Sequence, residues 1–145
     1  MNNDVSSHGT YLLLLKCDAR TELSIGKLGN IMTEPGYYLY VGSAFGPGGI
    51  KARINHHKKL SLRPHWHIDY LRTEVDIVDA WCVYGFRYEH EWAQSLIHSG
   101  NTAMPLTGFG SSDCACATHL FQLKHKPVKA GLEKLLKNKL SSVSI

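Results

Sequence analysis

Three observations predict a single α+β domain, one small mixed sheet with helices packed against it. The first is a pair of strand-like runs, "GTYLLLLKC" (9–17) and "YYLYVG" (37–42). One is continuously apolar, as a buried strand is, and the other is rich in aromatic and β-branched residues. The second is the order of segments that follows: strand, strand, helix, helix, strand, helix, strand, helix, which suits helices laid on one sheet. The third is a chain of 145 residues with no internal repeat and no linker. That length supports one domain with a real core and is short for two.

Residues 1–8 read as a loose tail and 9–140 as the domain. The first two strands are expected to be antiparallel neighbours. Between them, "ARTELSIGKLGNIMTEPG" (19–36) reads as a connection with turn residues at both ends. A helix follows, opened by "GPGG" (46–49). "HWHIDYLR" (65–72) is a short helix with Pro64 near its first turn. "EVDIVDAWCVYGF" (74–86) alternates Val75 and Ile77 against Asp76 and then turns apolar, as a strand does. "YEHEWAQSLIHSG" (88–100) is a helix closed by Gly100. A glycine- and serine-rich turn leads to a last strand at about 117–123, and "PVKAGLEKLLKNKL" (127–140) is a basic helix with proline at its start.

The composition, 43% hydrophobic and 19% charged, is that of an ordinary soluble protein. No apolar run approaches the ~18 residues of a membrane span. The start, "MNNDVSSHGT", lacks a secretory pattern, so the cytoplasm is the expected compartment. Four irregularly spaced cysteines (17, 82, 114 and 116) suggest reduced thiols rather than a disulfide framework. A net charge of +4 suits a polyanionic partner without demanding one.

The chemistry begins on the helix after the glycine-rich turn. Its apolar seam should be positions 50, 53, 54 and 57. Ile50 and Ile54 fit, yet Arg53 and His57 share the same inward face. On the 88–100 helix, Trp92, Ala93, Leu96 and Ile97 form the seam and Glu89 stands at its head. A carboxylate there also suits the helix dipole, which is the structural reading of Glu89. Glu91 faces away. Tyr11 begins the first strand and Tyr40 lies late in the second. A tyrosine that accepts a proton, an arginine that clamps phosphate oxygens and a carboxylate that holds Mg²⁺ together suffice to hydrolyse a phosphodiester.

Other motifs carry less. The glycines from Gly42 to Gly49 lack the Gly-Lys-Ser/Thr ending of a phosphate loop and read as a turn, whose N–H groups can still cradle a phosphate. "DCACATH" (113–119) offers Cys114, Cys116 and His119 to zinc, but Cys-x-Cys is tight and a fourth ligand is missing, so buried thiols are preferred. His65 and His67, two apart on a helix, cannot share an ion. Trp66 and Tyr70 read as core, and His67 is placed on the substrate groove. Lys58, Lys59 and Arg63 make the densest basic patch, a solvated surface or a contact to a nucleic-acid backbone.

"GTY" (9–11) and "YVG" (40–42), followed by Arg53, His57 and Glu89, resemble the GIY-YIG nuclease superfamily. The longer string through "HWHIDYL" to "GFGSSDC" is similar to its Uri-type branch, over residues 9–123 or so. The departures are Thr10 and Val41 in place of isoleucine and a longer glycine-rich stretch before Arg53. The resemblance marks Asp113, Cys114, Cys116 and His119 as part of the branch's signature without giving them a role. It implies a one-metal endonuclease acting on DNA, with RNA also open, using one Mg²⁺ or Mn²⁺ held by Glu89. On that reading Tyr11 is the general base, its phenolate favoured by nearby cations. Tyr40 positions the phosphate or the base, Arg53 stabilises transition-state charge, and His57 orients water or Tyr11 or donates to phosphate. Gly42, Lys58, Lys59, Arg63 and His67 contact the substrate. So small a domain would need a homodimer or a partner protein to choose its target. The competing readings are a nucleic-acid-binding module of the same fold without turnover, and a zinc-stabilised interaction domain.

Overall fold

The computed structural model describes residues 7–111 and 116–145. Most of the expected tail (residues 1–6), together with Asp113 and Cys114, lies outside the described residues. The chain runs β1 (Gly9–Cys17), β2 (Glu22–Ile25), β3 (Gly29–Met32), β4 (Gly36–Ala44), α1 (Gly49–Lys58), α2 (His67–Leu71) and β5 (Val75–Tyr84). It continues through α3 (Glu89–His98), β6 (Thr102–Ala103), β7 (Leu120–Leu123), α4 (Lys129–Leu136) and β8 (Ser141–Ser142). The class is α+β. Among the described residues the main sheet has six strands in the order β6-β7-β4-β1-β5-β8. Every ladder in it is antiparallel, so the expected mixed sheet is corrected to an antiparallel one.

β1 lies in the middle, paired with β4 along its whole length on one side and with β5 on the other. This placement explains its unbroken apolar run, because both faces of a central strand are covered. Alternation then sends Tyr11, Leu13 and Leu15 to one face and Leu12 and Leu14 to the other. On the first face β4 adds Tyr38 and Tyr40, and α1 and α2 cover them with Ile50, Ile54, Ile68 and Leu71. On the second, Trp81, Leu39 and Val41 pack against Trp92, Ala93 and Leu96 of α3 and Leu132 and Leu136 of α4. The result is three layers, helices on both sides of one sheet.

The structure differs from expectation at three places. The 19–36 connection contains a hairpin, β2 with β3, turned at Gly26 with φ of 52°. Ile25 and Ile31 of this hairpin are buried and extend the first core. The last main strand is shorter than expected, starting at Leu120 instead of about 117. The final helix ends at Leu136, because Lys137 adopts a left-handed conformation (φ 59°) that stops it. The chain then adds Ser141 and Ser142 to the edge of β5.

Two polar side chains fix elements that carry the site. Arg72, buried just past α2, donates to the carbonyls of His57 and Lys58 at the end of α1 and to that of Val75 at the start of β5. A cation on the last carbonyls of a helix is favoured by hydrogen bonding and by the dipole together. Thr10, fully buried on β1, donates to the Phe86 carbonyl and accepts the Tyr88 N–H, both at 2.8 Å. Those two bonds tie the segment before α3 to the central strand.

Thr10→Val keeps the shape of the side chain and removes both bonds. It should lower stability by about 1–3 kcal/mol, the worth of two such bonds, as read by denaturant unfolding. Hydrogen exchange should show faster opening of residues 86–92 than of β4.

Candidate active site

The register of β1 against β4 sets Tyr11 opposite Gly42 and Leu13 opposite Tyr40. Tyr11 and Tyr40 therefore share a face, with ring centroids 6.4 Å apart. Gly42 is required there: a Cβ would run into the ring and hydroxyl of Tyr11. From α1, His57 is buried against both rings, and its Nε2 lies 2.7 Å from the Tyr11 hydroxyl. Arg72 holds the His57 carbonyl, so the imidazole is fixed from behind.

In front of this pair lies a pocket of about 130 Å³, lined by Tyr11, Tyr40, Arg53 and Glu89 among others. The Arg53 guanidinium lies over the Trp66 ring, 4.3 Å from its centre, and Nη1 donates to the Ser43 carbonyl at 3.2 Å. Glu89, the first residue of α3, accepts a hydrogen bond from the Ser43 hydroxyl at 3.1 Å. Its other oxygen is 3.9 Å from Nδ1 of His119. Gly110 closes the rim with φ of 69°, where a Cβ would press on the Tyr40 ring. The Gly110 N–H donates to Nδ1 of His67 at 2.8 Å, which fastens this loop to α2.

Burial dominates the electrostatics. It raises the Tyr11 hydroxyl well above the ordinary phenol range, Tyr40 adds to the rise, and Arg53 and its hydrogen bond only partly oppose it. Tyr40 is raised in the same way. The expectation that cations depress Tyr11 is therefore corrected for the protein by itself: the desolvation cost of a phenolate outweighs the guanidinium. Burial, with His56 and Arg53 next, lowers His57 to about 3, so its ring is neutral at pH 7. The pair at pH 7 is thus a phenol beside a neutral imidazole, whose Nε2 accepts from the Tyr11 O–H when the ring proton is on Nδ1.

Comparison with protein families gives one match, the domain of unknown function DUF123, over residues 10–141. The chain belongs to the DUF123 family. No curated protein and no solved structure matches the chain. The matched span holds all the pocket residues of this DUF123 domain, from Tyr11 on β1 to His119 before β7.

The pocket brings together Tyr11, Tyr40, Gly42, Arg53 and Glu89, with His57 directly behind Tyr11. Tyr11 is not near the sheet's edge, as its place at the start of a strand suggested, but fully buried on the central one. Lys58, Lys59 and Arg63 are exposed and do not line the pocket. His67 braces the Gly110 loop from outside it. Ser43, Trp66, Gly110 and His119 complete the lining and were not expected there. Of these, Trp66 had a signal that pointed to core, one helix turn before Tyr70, and His119 had one that pointed to zinc or to the branch's signature without a role. His119 faces Glu89, while the buried Cys116 sits 3.1 Å from Nδ1 of His90 on the other face of the sheet. The zinc reading of Cys114, Cys116 and His119 is not assembled by the described members, and Cys114 lies outside the described residues.

Because His57 protonates far more readily in the unfolded chain, near pH 6.5, than in the folded one, near 3, the unfolded state binds the extra proton between these values. Stability should be full above about pH 6.5 and fall steadily as the pH drops toward 3. His67 and His119, lowered by burial, act in the same direction. Denaturant unfolding at pH 7.5 and pH 5 should show this loss in the native chain and a smaller one in His57→Phe.

Proposed function

We propose that this DUF123 chain is a divalent-metal-dependent endonuclease of the GIY-YIG type, hydrolysing phosphodiester bonds in DNA. The observation that carries the proposal is convergence. Tyr11, Tyr40, Arg53 and Glu89 come from two strands and two helices and line one pocket, with His57 bonded to Tyr11. A purely structural role explains a buried tyrosine or a helix-capping glutamate singly. It does not explain a guanidinium, a carboxylate and two phenols turned toward one small cavity.

Each group has a chemical task. Trp66 and the Ser43 carbonyl orient Arg53, whose remaining N–H groups can clamp the phosphate and stabilise the added negative charge of the transition state. Glu89 fits a hard divalent ion, being an oxygen donor set by Ser43 and reachable through the pocket. One Mg²⁺ or Mn²⁺ held by Glu89 would supply positive charge to stabilise the leaving group. Tyr11 takes the proton of the attacking water while its own proton passes to Nε2 of His57. A new P–O bond forms as the bond to the leaving oxygen breaks. This relay spares the phenolate that burial disfavours, and the imidazolium it forms, which burial also disfavours, is offset by the negative charge gathering on the phosphate. Tyr40 positions the phosphate. The exposed Lys58, Lys59 and Arg63, with the net charge of +4, supply backbone attraction for DNA.

Incubating the purified protein with plasmid and oligonucleotide substrates in Mg²⁺, Mn²⁺ or EDTA tests the proposal: cleavage should require the ion. Glu89→Ala should abolish cleavage and leave DNA binding in place. Arg53→Ala should slow cleavage by about 10²-fold or more with little change in melting temperature. A loss of fold with normal specific activity would instead make Arg53 structural.

Tyr11→Phe keeps the ring and removes the relay, so cleavage should fall by at least about 10²-fold, while the chain stays folded with stability lowered by about 1–3 kcal/mol for the partner lost at Nε2 of His57. Tyr40→Phe should lose less. An active Tyr11→Phe protein would pass the base role to His57, to be checked in His57→Ala.

A further inference from the structure

A second group of ligands lies behind the pocket. His56 and His57 at the end of α1 and Asp69 in α2 each offer one donor atom, and these atoms all lie within 4.8 Å of one another. We propose that His56, His57 and Asp69 form a binding site for one first-row divalent transition ion of the Zn²⁺ class, separate from the ion assigned to Glu89.

Three observations carry it. The first is the donor set: two imidazoles and one carboxylate match transition ions that keep open positions for water. Mg²⁺, which prefers oxygen ligands, would be passed over. The second is a buried atom without a partner. The Nε2 of His57 is taken by Tyr11, whereas its Nδ1 is buried and has no hydrogen bond. Leaving such an atom unpaired is costly; with the ring proton moved to Nε2 and Tyr11 accepting from it, the freed Nδ1 lone pair can take an ion. The third is the setting of Asp69. Its Oδ2 accepts the N–H groups of His65 and Trp66, at 2.8 and 3.0 Å, which turns Oδ1 toward Nε2 of His56 at 3.1 Å. A carboxylate oriented by backbone donors is how metal ligands are held in place.

Without the ion, Asp69 hydrogen-bonds to His56 and also caps α2. The ion replaces the shared His56 proton, and side-chain rotation closes the remaining gap to bonding distance. Entry is open, since the His56 side chain is 38% exposed. It borders a surface pocket of about 230 Å³ with Gly46, Ala52 and Trp66. Arg53 and Arg72 both add positive potential at His57, so the site depends on the Asp69 charge. An ion on Nδ1 fixes the His57 proton on Nε2, where it cannot take the Tyr11 proton, so an ion bound here opposes the relay of the pocket.

The test uses the full chain carrying Glu89→Ala, so that the pocket ion is absent whether or not the protein is a nuclease. After chelator treatment it is titrated with Co²⁺, followed by visible d–d absorption, and the bound metal is counted after buffer exchange. One ion per chain is expected, with a spectrum from nitrogen and oxygen ligands and a raised melting temperature. Adding His56→Ala, at a part-exposed position that tolerates truncation, should weaken binding by at least about tenfold, the lower end for losing a metal-site group. Asp69→Asn should weaken it as much or more, and circular dichroism checks that both variants remain folded. Failure of the Glu89→Ala chain to bind Co²⁺, undiminished binding after His56→Ala, or a thiolate charge-transfer band in place of the expected spectrum overturns the proposal.

Discussion

The hydrogen bond between Tyr11 and His57 is the constraint around which one face of the sheet is arranged. The Tyr11 hydroxyl is buried on the central strand, and leaving it unpaired would cost on the order of 1–3 kcal/mol. The acceptor must come from the layer above, and only a helix running close over β1 and β4 can bring it. Gly42 makes that approach feasible by leaving the space opposite Tyr11 for the ring. Arg72 holds the end of α1, where His57 sits, against the start of β5. The pairing of Ile50 and Ile54 with the sheet supplies the apolar area that keeps α1 there.

Glu89 poses a different problem, because α3 covers the opposite face. Its carboxylate reaches the pocket only because it is the first residue of the helix, at the end of the sheet, where the two faces meet. The Thr10 hydroxyl secures that corner from β1, and Ser43 meets the carboxylate from β4. Thr10 and Tyr11 are adjacent and point to opposite faces. One dipeptide of the central strand therefore positions both a phenol on one side and the carboxylate-bearing helix on the other. The middle residue of "GTY" is Thr10. In the fold it is a polar fastener for the helix start.

What could be read from the sequence followed from periodicity. The run at 9–17, the aromatic strand after it and the placement of Arg53 and His57 beside Ile50 and Ile54 each repeat a pattern long enough to identify. The hairpin of β2 and β3 escaped because each strand is four residues long and carries charge or glycine. Its buried Ile25 and Ile31 are too few to show a period. His119 and Gly110 escaped because a loop delivers them, and loop geometry leaves no periodic trace. The direction of the Tyr11 shift escaped for another reason: it depends on how completely three layers exclude water, a property of the assembled fold and not of any segment.

The six-stranded sheet ends on both sides in strands of two residues, Thr102–Ala103 and Ser141–Ser142. A sheet edge normally exposes a row of unpaired amides and carbonyls that can template a further strand from another chain. Here each outermost strand is too brief to offer more than a fragment of such a row. Among the described residues the longer row on the β8 side belongs to β5, because only Trp81 and Cys82 of its ten residues pair with β8.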